Sequence, residues 1–187
     1  VEDVGPSVIE AIDALALQVP EDLALTSREN QRDWLSMLHL CSPSHWAAED
    51  KVGLDFGSVH RSIPHIDKIT RVSSNLVEAM INKGPYVRFV WSFVTDQRLN
   101  HHPLAPPDWS QEKWKGRTFD LAQPCPFHFR VERQVIWGLP AVQASLFTIR
   151  VSLWSGLEVK ADPEFRNQLI SALKSMTPES RVYKGVQ

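Results

Sequence analysis

The first twenty residues alternate apolar and polar positions with a helical period. Ser7-Val8-Ile9-Glu10 has the spacing of a capping box, and Val8, Ile9, Ile12, Leu15 and Ala16 recur on one face, which predicts a helix ending before Pro20. From Ser27 to Leu40 polar residues come first and Trp34, Leu35, Met37 and Leu38 follow. That order predicts a short helix running into a strand through Leu38-His39-Leu40-Cys41. Between Pro43 and Pro64 the chain is rich in Pro, Gly, Ser and His and reads as an ordered loop with at most one or two turns of helix.

The second half is more strongly punctuated. Val72, Leu76, Val77, Met80 and Ile81 repeat at three and four residues within Lys68 to Asn82, and Lys83-Gly84 supplies a basic last turn followed by a terminating glycine. Tyr86 to Val94 is dense in aromatic and β-branched residues and predicts a strand between Pro85 and Thr95-Asp96-Gln97. Pro103 to Pro107 marks a long loop. Phe127 to Trp137 and Ala144 to Trp154 flank Gly138-Leu139-Pro140 and predict two antiparallel strands joined by a short connection. Asp162-Pro163 opens a last helix whose stripe is Phe165, Leu169, Ile170 and Leu173. Helices and strands do not alternate as βαβ units, so the expected class is α+β: an antiparallel sheet covered by helices.

Composition narrows the function classes. The 187 residues suit one domain, and 43% hydrophobic with 22% charged residues is ordinary globular usage. A net charge of -2 offers no basic field for nucleic acid. No run approaches the roughly 18 apolar residues of a membrane span. The start, with Glu2 and Asp3, lacks a signal peptide's basic region, so a cytoplasmic location is expected. The chain opens on Val1 rather than Met, and further residues upstream are expected. Cys41 and Cys125 form no CxxC pair, and each is expected to be a buried thiol.

Candidate chemistry is sparse. Seven histidines, at 39, 45, 60, 65, 101, 102 and 128, form no zinc-type spacing. His60, in Val59-His60-Arg61-Ser62-Ile63-Pro64, sits before a stiffening proline that could hold an imidazole toward a cofactor; a lone loop histidine is more often an ordinary hydrogen-bonded residue. His101-His102 point to opposite sides of an extended chain and are assigned to a solvated loop. In Phe129-Arg130-Val131-Glu132-Arg133-Gln134, period two puts Arg130, Glu132 and Gln134 on one face and Val131 and Arg133 on the other. Such a stripe is either a solvated sheet face with cross-strand ion pairs or a pocket where Arg stabilises an anion or dioxygen and Glu accepts a cationic amine. Arg150, after Leu146-Phe147-Thr148-Ile149, could join it across the sheet. Most of the seven tryptophans are expected in the core, some lining an aromatic pocket. No phosphate loop, GxSxG elbow or Cys/His nucleophile pair is present.

Five segments in order carry a resemblance. They are Pro20-Glu21-Asp22-Leu23; Cys41-Ser42-Pro43-Ser44-His45-Trp46 leading to Lys51-Val52-Gly53; Val59-His60-Arg61-Ser62-Ile63-Pro64; Arg130-Val131-Glu132-Arg133-Gln134 with Leu139-Pro140 and Leu146-Phe147-Thr148-Ile149-Arg150; and Tyr183-Lys184-Gly185. Together they resemble the haem-dependent oxidative N-demethylase α-subunit-like proteins, also called HRQ-type proteins. The resemblance implies a single haem-binding domain over residues 1–187, with a PAS-like fold and haem b held by a histidine. It also implies a monooxygenase reaction in which dimethylamine and dioxygen give methylamine and formaldehyde. Electrons would come from NADPH through a separate flavin and iron–sulfur reductase subunit, in an oligomeric assembly, with tetrahydrofolate able to take up the formaldehyde. Carried over by position, His60 is the axial metal ligand. Arg130, Glu132 and Arg133 are the catalytic candidates, and Gln134 and Arg150 the further cofactor-binding ones. The chain departs from the family pattern at Gly138, where arginine is usual, at Val151-Ser152 in place of Thr-Tyr, at Val90 in place of Asn, and at Ser62. Those departures favour a rival reading, a non-catalytic haem or small-ligand sensor on the same scaffold, and a cofactor-free interaction subunit is a third reading.

Overall fold

The computed structural model describes residues 7–116, 119–184 and 186. Val1, Glu2, Asp3 and Gly185 lie outside the described residues. Ser7 caps helix α1 (Val8–Ala16), with its hydroxyl and Glu10 forming the reciprocal capping box. The predicted apolar stripe is only partly used: Ala16 is buried, but Ile9 and Leu15 face solvent.

The segment expected to be helical is instead a hairpin. Strands β1 (Asp22–Glu29) and β2 (Arg32–His39) pair antiparallel around Asn30-Gln31. Both turn residues have positive φ, 48° and 68°, as a two-residue turn matched to strand twist demands. A bulge between Leu25 and Thr26 breaks the simple alternation.

One helical turn, α2 (Phe56–Val59), interrupts the following loop, in keeping with the expectation there. The predicted helix from Lys68 is two pieces, α3 (Asp67–Thr70) and α4 (Ser73–Asn82), with Val72 between them; Val77, Met80 and Ile81 are buried as the stripe requires. Strand β3 (Tyr86–Val94) has the predicted bounds. A short helix α5 (Gln111–Lys115) lies in the long loop. Strands β4 (His128–Leu139) and β5 (Ala144–Ser155) pair through the 3-10 turn Pro140–Val142. Helices α6 (Gly156–Ala161), α7 (Pro163–Ser175) and α8 (Pro178–Lys184) follow, and Asp162 caps α7 through the Glu164 and Phe165 amides.

The five strands form one antiparallel sheet in the order β2-β1-β5-β4-β3 with helices packed on it, an α+β architecture. One face carries Phe93 and Phe129, which with Val159 of α6 and Leu169 of α7 make a buried cluster. On the other face α4 crosses β4 and β5. A Cβ at Gly138 would collide with the Ile81 carbonyl, so the close approach of α4 requires glycine there. Among the tryptophans only Trp114 is buried, and Trp109, Trp137 and Trp154 are exposed, so the expectation of a tryptophan-filled core fails. Indoles are large, and here most border a face instead of filling it. Cys41 is exposed and Cys125 half-buried, against the expectation of buried thiols. No helix among the described residues is long and apolar enough to cross a membrane.

Candidate functional site

Strand register decides which polar side chains meet. Directly opposed residues of antiparallel strands share a face. The pairs Arg88↔Gln134, Gln134↔Ile149 and Ile149↔Asp22 therefore set Arg88, Gln134 and Asp22 in one row across four strands, on the face that also carries Glu132 and Arg130. Most of this row is withdrawn from solvent, with Arg130 1% exposed, Asp22 2% and Gln134 6%, while Arg88 on the edge strand β3 is exposed. Buried charge persists only when paired. Arg130 donates from one terminal nitrogen to Glu132 Oε1 and from the other to the Ser42 carbonyl at 2.6 Å. Glu132 Oε2 accepts from Gln134 Nε2 at 2.8 Å, and Arg88 Nε donates to Gln134 Oε1 at 2.5 Å.

Asp22, at the start of β1, closes the other end. Its Oδ1 accepts the Cys41 amide at 2.6 Å and the Ser42 amide at 3.0 Å, so it ties the loop after β2 onto the sheet. Burial pushes its carboxyl above the usual range, and Glu132 adds to that, while the two amides and Arg130 pull the other way.

His60 follows α2 and lies beyond this row. Its Nδ1 donates to the Phe56 carbonyl at 2.8 Å, its ring leans on Phe56 at 4.4 Å, and Nε2 makes no hydrogen bond among the described residues. Burial lowers its pKa below the usual imidazole value; the Phe56 bond opposes this, and the Arg88 and Lys51 charges reinforce it. Lys51 donates to the Val59 carbonyl at 2.8 Å and so braces the same turn. Two open grooves flank this loop, one lined by Gly57, Arg61 and Thr70 and the other by Gln31, Arg32 and Gly53; neither includes the polar row.

The structure thus brings Arg130, Glu132 and Gln134 together and leaves Arg133 and Arg150 out. Arg133 and Arg150 oppose one another across β4 and β5 on the other face, and both are exposed. Among the described residues Arg150 reaches only Glu21, at 3.9 Å, so it does not join the cluster. A side chain cannot cross its own sheet, and period two separates Arg133 from Arg130 as firmly as Arg150.

His101 is also relocated. It is 1% exposed, against the expected solvated loop, with Nε2 3.1 Å from Asp96 Oδ1. Its backbone pairs with the loop after β2: His45 N donates to the His101 carbonyl, and His101 N to the Pro43 carbonyl. Gly116, at φ 59°, packs so closely that a Cβ would sit 2.8 Å from Asp96 Oδ2 and 3.1 Å from His101 Nε2. Asp22, Arg88, Asp96 and His101 went unrecognised as site residues in the sequence. The one signal was Asp22 directly after Pro20-Glu21 at the head of a strand.

A helix-covered antiparallel sheet that buries a linked Arg130-Glu132-Gln134 row, with His60 anchored through one ring nitrogen, makes this an α+β protein with polar chemistry set into its sheet. The chain belongs to the family described as haem-dependent oxidative N-demethylase, alpha subunit-like, whose model matches residues 2–187, essentially its whole length.

Proposed function

We infer that residues 1–187 form one haem-binding unit of PAS-like architecture, the catalytic subunit of a monooxygenase that removes a methyl group from a small alkylamine such as dimethylamine and releases formaldehyde. The family description supplies the haem dependence and the reaction class. The five-stranded antiparallel sheet with packed helices supports the PAS-like reading of the scaffold.

The observation that carries this reading is His60. Haem iron needs one protein ligand, and a ligating histidine almost always donates its second ring N–H to a carbonyl or carboxylate. His60 has that arrangement, with Nδ1–H on the Phe56 carbonyl, and burial keeps it neutral and able to coordinate. No group of three or more His, Cys, Asp or Glu side chains among the described residues could hold a bare metal ion, whereas one histidine suffices for haem b. The cationic Arg88 and Lys51, whose charges reach His60, suit the propionates of such a group. The residues present therefore fit.

When bound, haem supplies the dioxygen chemistry that side chains lack. Arg130 then offers a guanidinium fixed at two points to polarise dioxygen, Glu132 the carboxylate facing the substrate ammonium, and Gln134 the link that holds Glu132 in place. A flavin and iron–sulfur reductase subunit in the cytoplasm would deliver the electrons.

A second reading, a haem or small-ligand sensor, draws on Glu132 itself. Both of its oxygens are already taken by Arg130 and Gln134.

The test is an ultraviolet–visible spectrum of the haem-supplied protein beside His60→Ala. The expected result is a Soret band lost or shifted in the variant, a spectral change on adding dimethylamine, and amine-dependent oxygen consumption with a reductase. A band without turnover selects the sensor. No band after reconstitution overturns both haem readings and leaves a cofactor-free interaction subunit.

A further inference from the structure

Three buried polar atoms around the loop after β2 have no partner among the described residues: Asp22 Oδ2, Arg130 Nε and His101 Nδ1. Their side chains are at most 2% exposed. They are neighbours electrostatically, since Arg130 acts on the titration of both Asp22 and His101. Ser42 joins Asp22 and Arg130, with its amide on the first and its carbonyl on the second, and the His101 amide donates to the adjoining Pro43 carbonyl.

Their hydrogen-bonding senses are fixed by their other bonds. Asp22 accepts two amides through Oδ1, and in its carboxylate form, which those amides and Arg130 favour, Oδ2 is an acceptor. Arg130 Nε–H can only donate. Asp96 lies below the ordinary carboxylate pKa; its burial acts upward, but the Arg98 hydrogen bonds and the His101 and Arg98 charges outweigh it. An ionised Asp96 makes His101 Nε2 the donor at 3.1 Å and leaves Nδ1 as the lone pair. One donor and two acceptors are the complement of a single water molecule, which accepts once and donates twice. An alkylammonium would satisfy the two acceptors and leave Arg130 Nε–H facing a cation.

We propose that Asp96 and His101 form a general-base dyad which, through one buried water shared with Asp22 and Arg130, takes the proton from an alkylammonium substrate and passes it to solvent. The inference rests on the N-demethylase reading for its substrate. Alkylamines are ammonium ions at neutral pH, the lysine amine titrating near about 10.4. Oxidation at the carbon beside nitrogen needs the free amine. The substrate N–H bond breaks as its proton enters the water chain, and the chain delivers a proton to His101 Nδ1, where an N–H bond forms. The proton on Nε2 then leaves through Asp96, whose carboxylate is 32% exposed, to solvent. Once the amine has left, Nε2 regains a proton from solvent through Asp96 while Nδ1 returns its own through the water to the emptied amine site. No electrons move. The charged and titratable groups facing His101 are Asp96, Arg98, Arg130 and the ring of His45 at 5.4 Å. Burial, with Arg98 and Arg130, holds His101 below the usual imidazole value against the pull of Asp96, so it gives up a captured proton at neutral pH.

The test is calorimetry of dimethylammonium binding to the haem-loaded full chain at neutral pH, in two buffers of different ionisation enthalpy. This counts protons released without turnover. The wild type is expected to release about one proton per amine bound. His101→Gln and Asp96→Asn, checked for native folding by thermal melting, are expected to bind amine with release near zero. Imidazole ¹⁵N shifts of the wild type should show His101 with Nε2 protonated and Nδ1 bare. Amine binding with release unchanged in both variants, or an Nδ1-protonated His101, overturns the dyad alone. A wild type that binds no amine overturns the N-demethylase reading and the dyad with it.

Discussion

Replacing Arg130 with methionine removes the guanidinium from three neighbours at once. Glu132 loses the partner of Oε1, the Ser42 carbonyl loses its 2.6 Å donor, and buried Asp22 loses the positive charge that offsets its desolvation. Breaking one side of a buried ion pair costs ~3–5 kcal/mol, because the remaining charge is stranded. A domain of this size shifts about 2–4 °C in Tm per kcal/mol, so Arg130→Met should melt roughly 6–20 °C below wild type in calorimetry. Arg133→Met, three residues along on the exposed face, should change stability by no more than ~0.5 kcal/mol. The double variant Arg130→Met, Glu132→Leu should recover part of the loss, since removing both charges leaves neither uncompensated. Equal melting of Arg130→Met and Arg133→Met would refute the claim that this row is buried and paired.

Gly138→Ala should cost ~1–3 kcal/mol in urea unfolding, because a Cβ there strikes the Ile81 carbonyl; a neutral result would mean α4 sits farther from β4. Gln31→Gly should stabilise by about 1 kcal/mol, relieving a non-glycine residue at φ 68°; a loss of stability would show that the turn does not hold this geometry. His60 and His101 are both held below the imidazole value of 6.5, so below that pH the unfolded chain binds protons that the folded chain does not. Their contribution to stability is therefore full above 6.5 and declines as pH falls through it, and melting between about pH 5 and 8 should show a slope that His101→Gln reduces. An unchanged slope in that variant would contradict the assignment.

The parts of the fold legible in the sequence are those where periodicity and punctuation agree. Tyr86–Val94 is bounded by Pro85 and a polar triplet, and Asp162-Pro163 writes a cap into the chain. The β1–β2 hairpin was illegible for physical reasons. Its turn uses Asn30-Gln31 without a glycine, a bulge at Leu25 and Thr26 spoils the alternation, and Trp34, Leu35, Met37 and Leu38 fall at spacings a helix also uses. The candidate site divides in the same way. Arg130, Glu132 and Gln134 follow from period two within one strand. Asp22 and His101 join them only through the β1–β5 pairing and the backbone bonds between the loops at Pro43 and His101, contacts that no local pattern records.

Arg130 and Arg133 show what the sheet adds to composition. They are three residues apart and chemically identical, yet one is 1% exposed and held by two partners while the other stands in solvent opposite Arg150. The apolar face decides between them. Phe129 lies between Phe93, at 5.7 Å, and Phe165, at 5.2 Å, and packs with Val159 and Leu169. Slipping β4 by one residue would bury Arg130 among those rings and move Phe129 into the polar row, a cost far above any gain there, so the aromatic cluster fixes the register. The site on one face is thus specified by hydrophobic packing on the other. A substitution such as Phe129→Ala, which touches no polar residue, acts on the site by loosening the register that holds Arg130, Glu132 and Gln134 together.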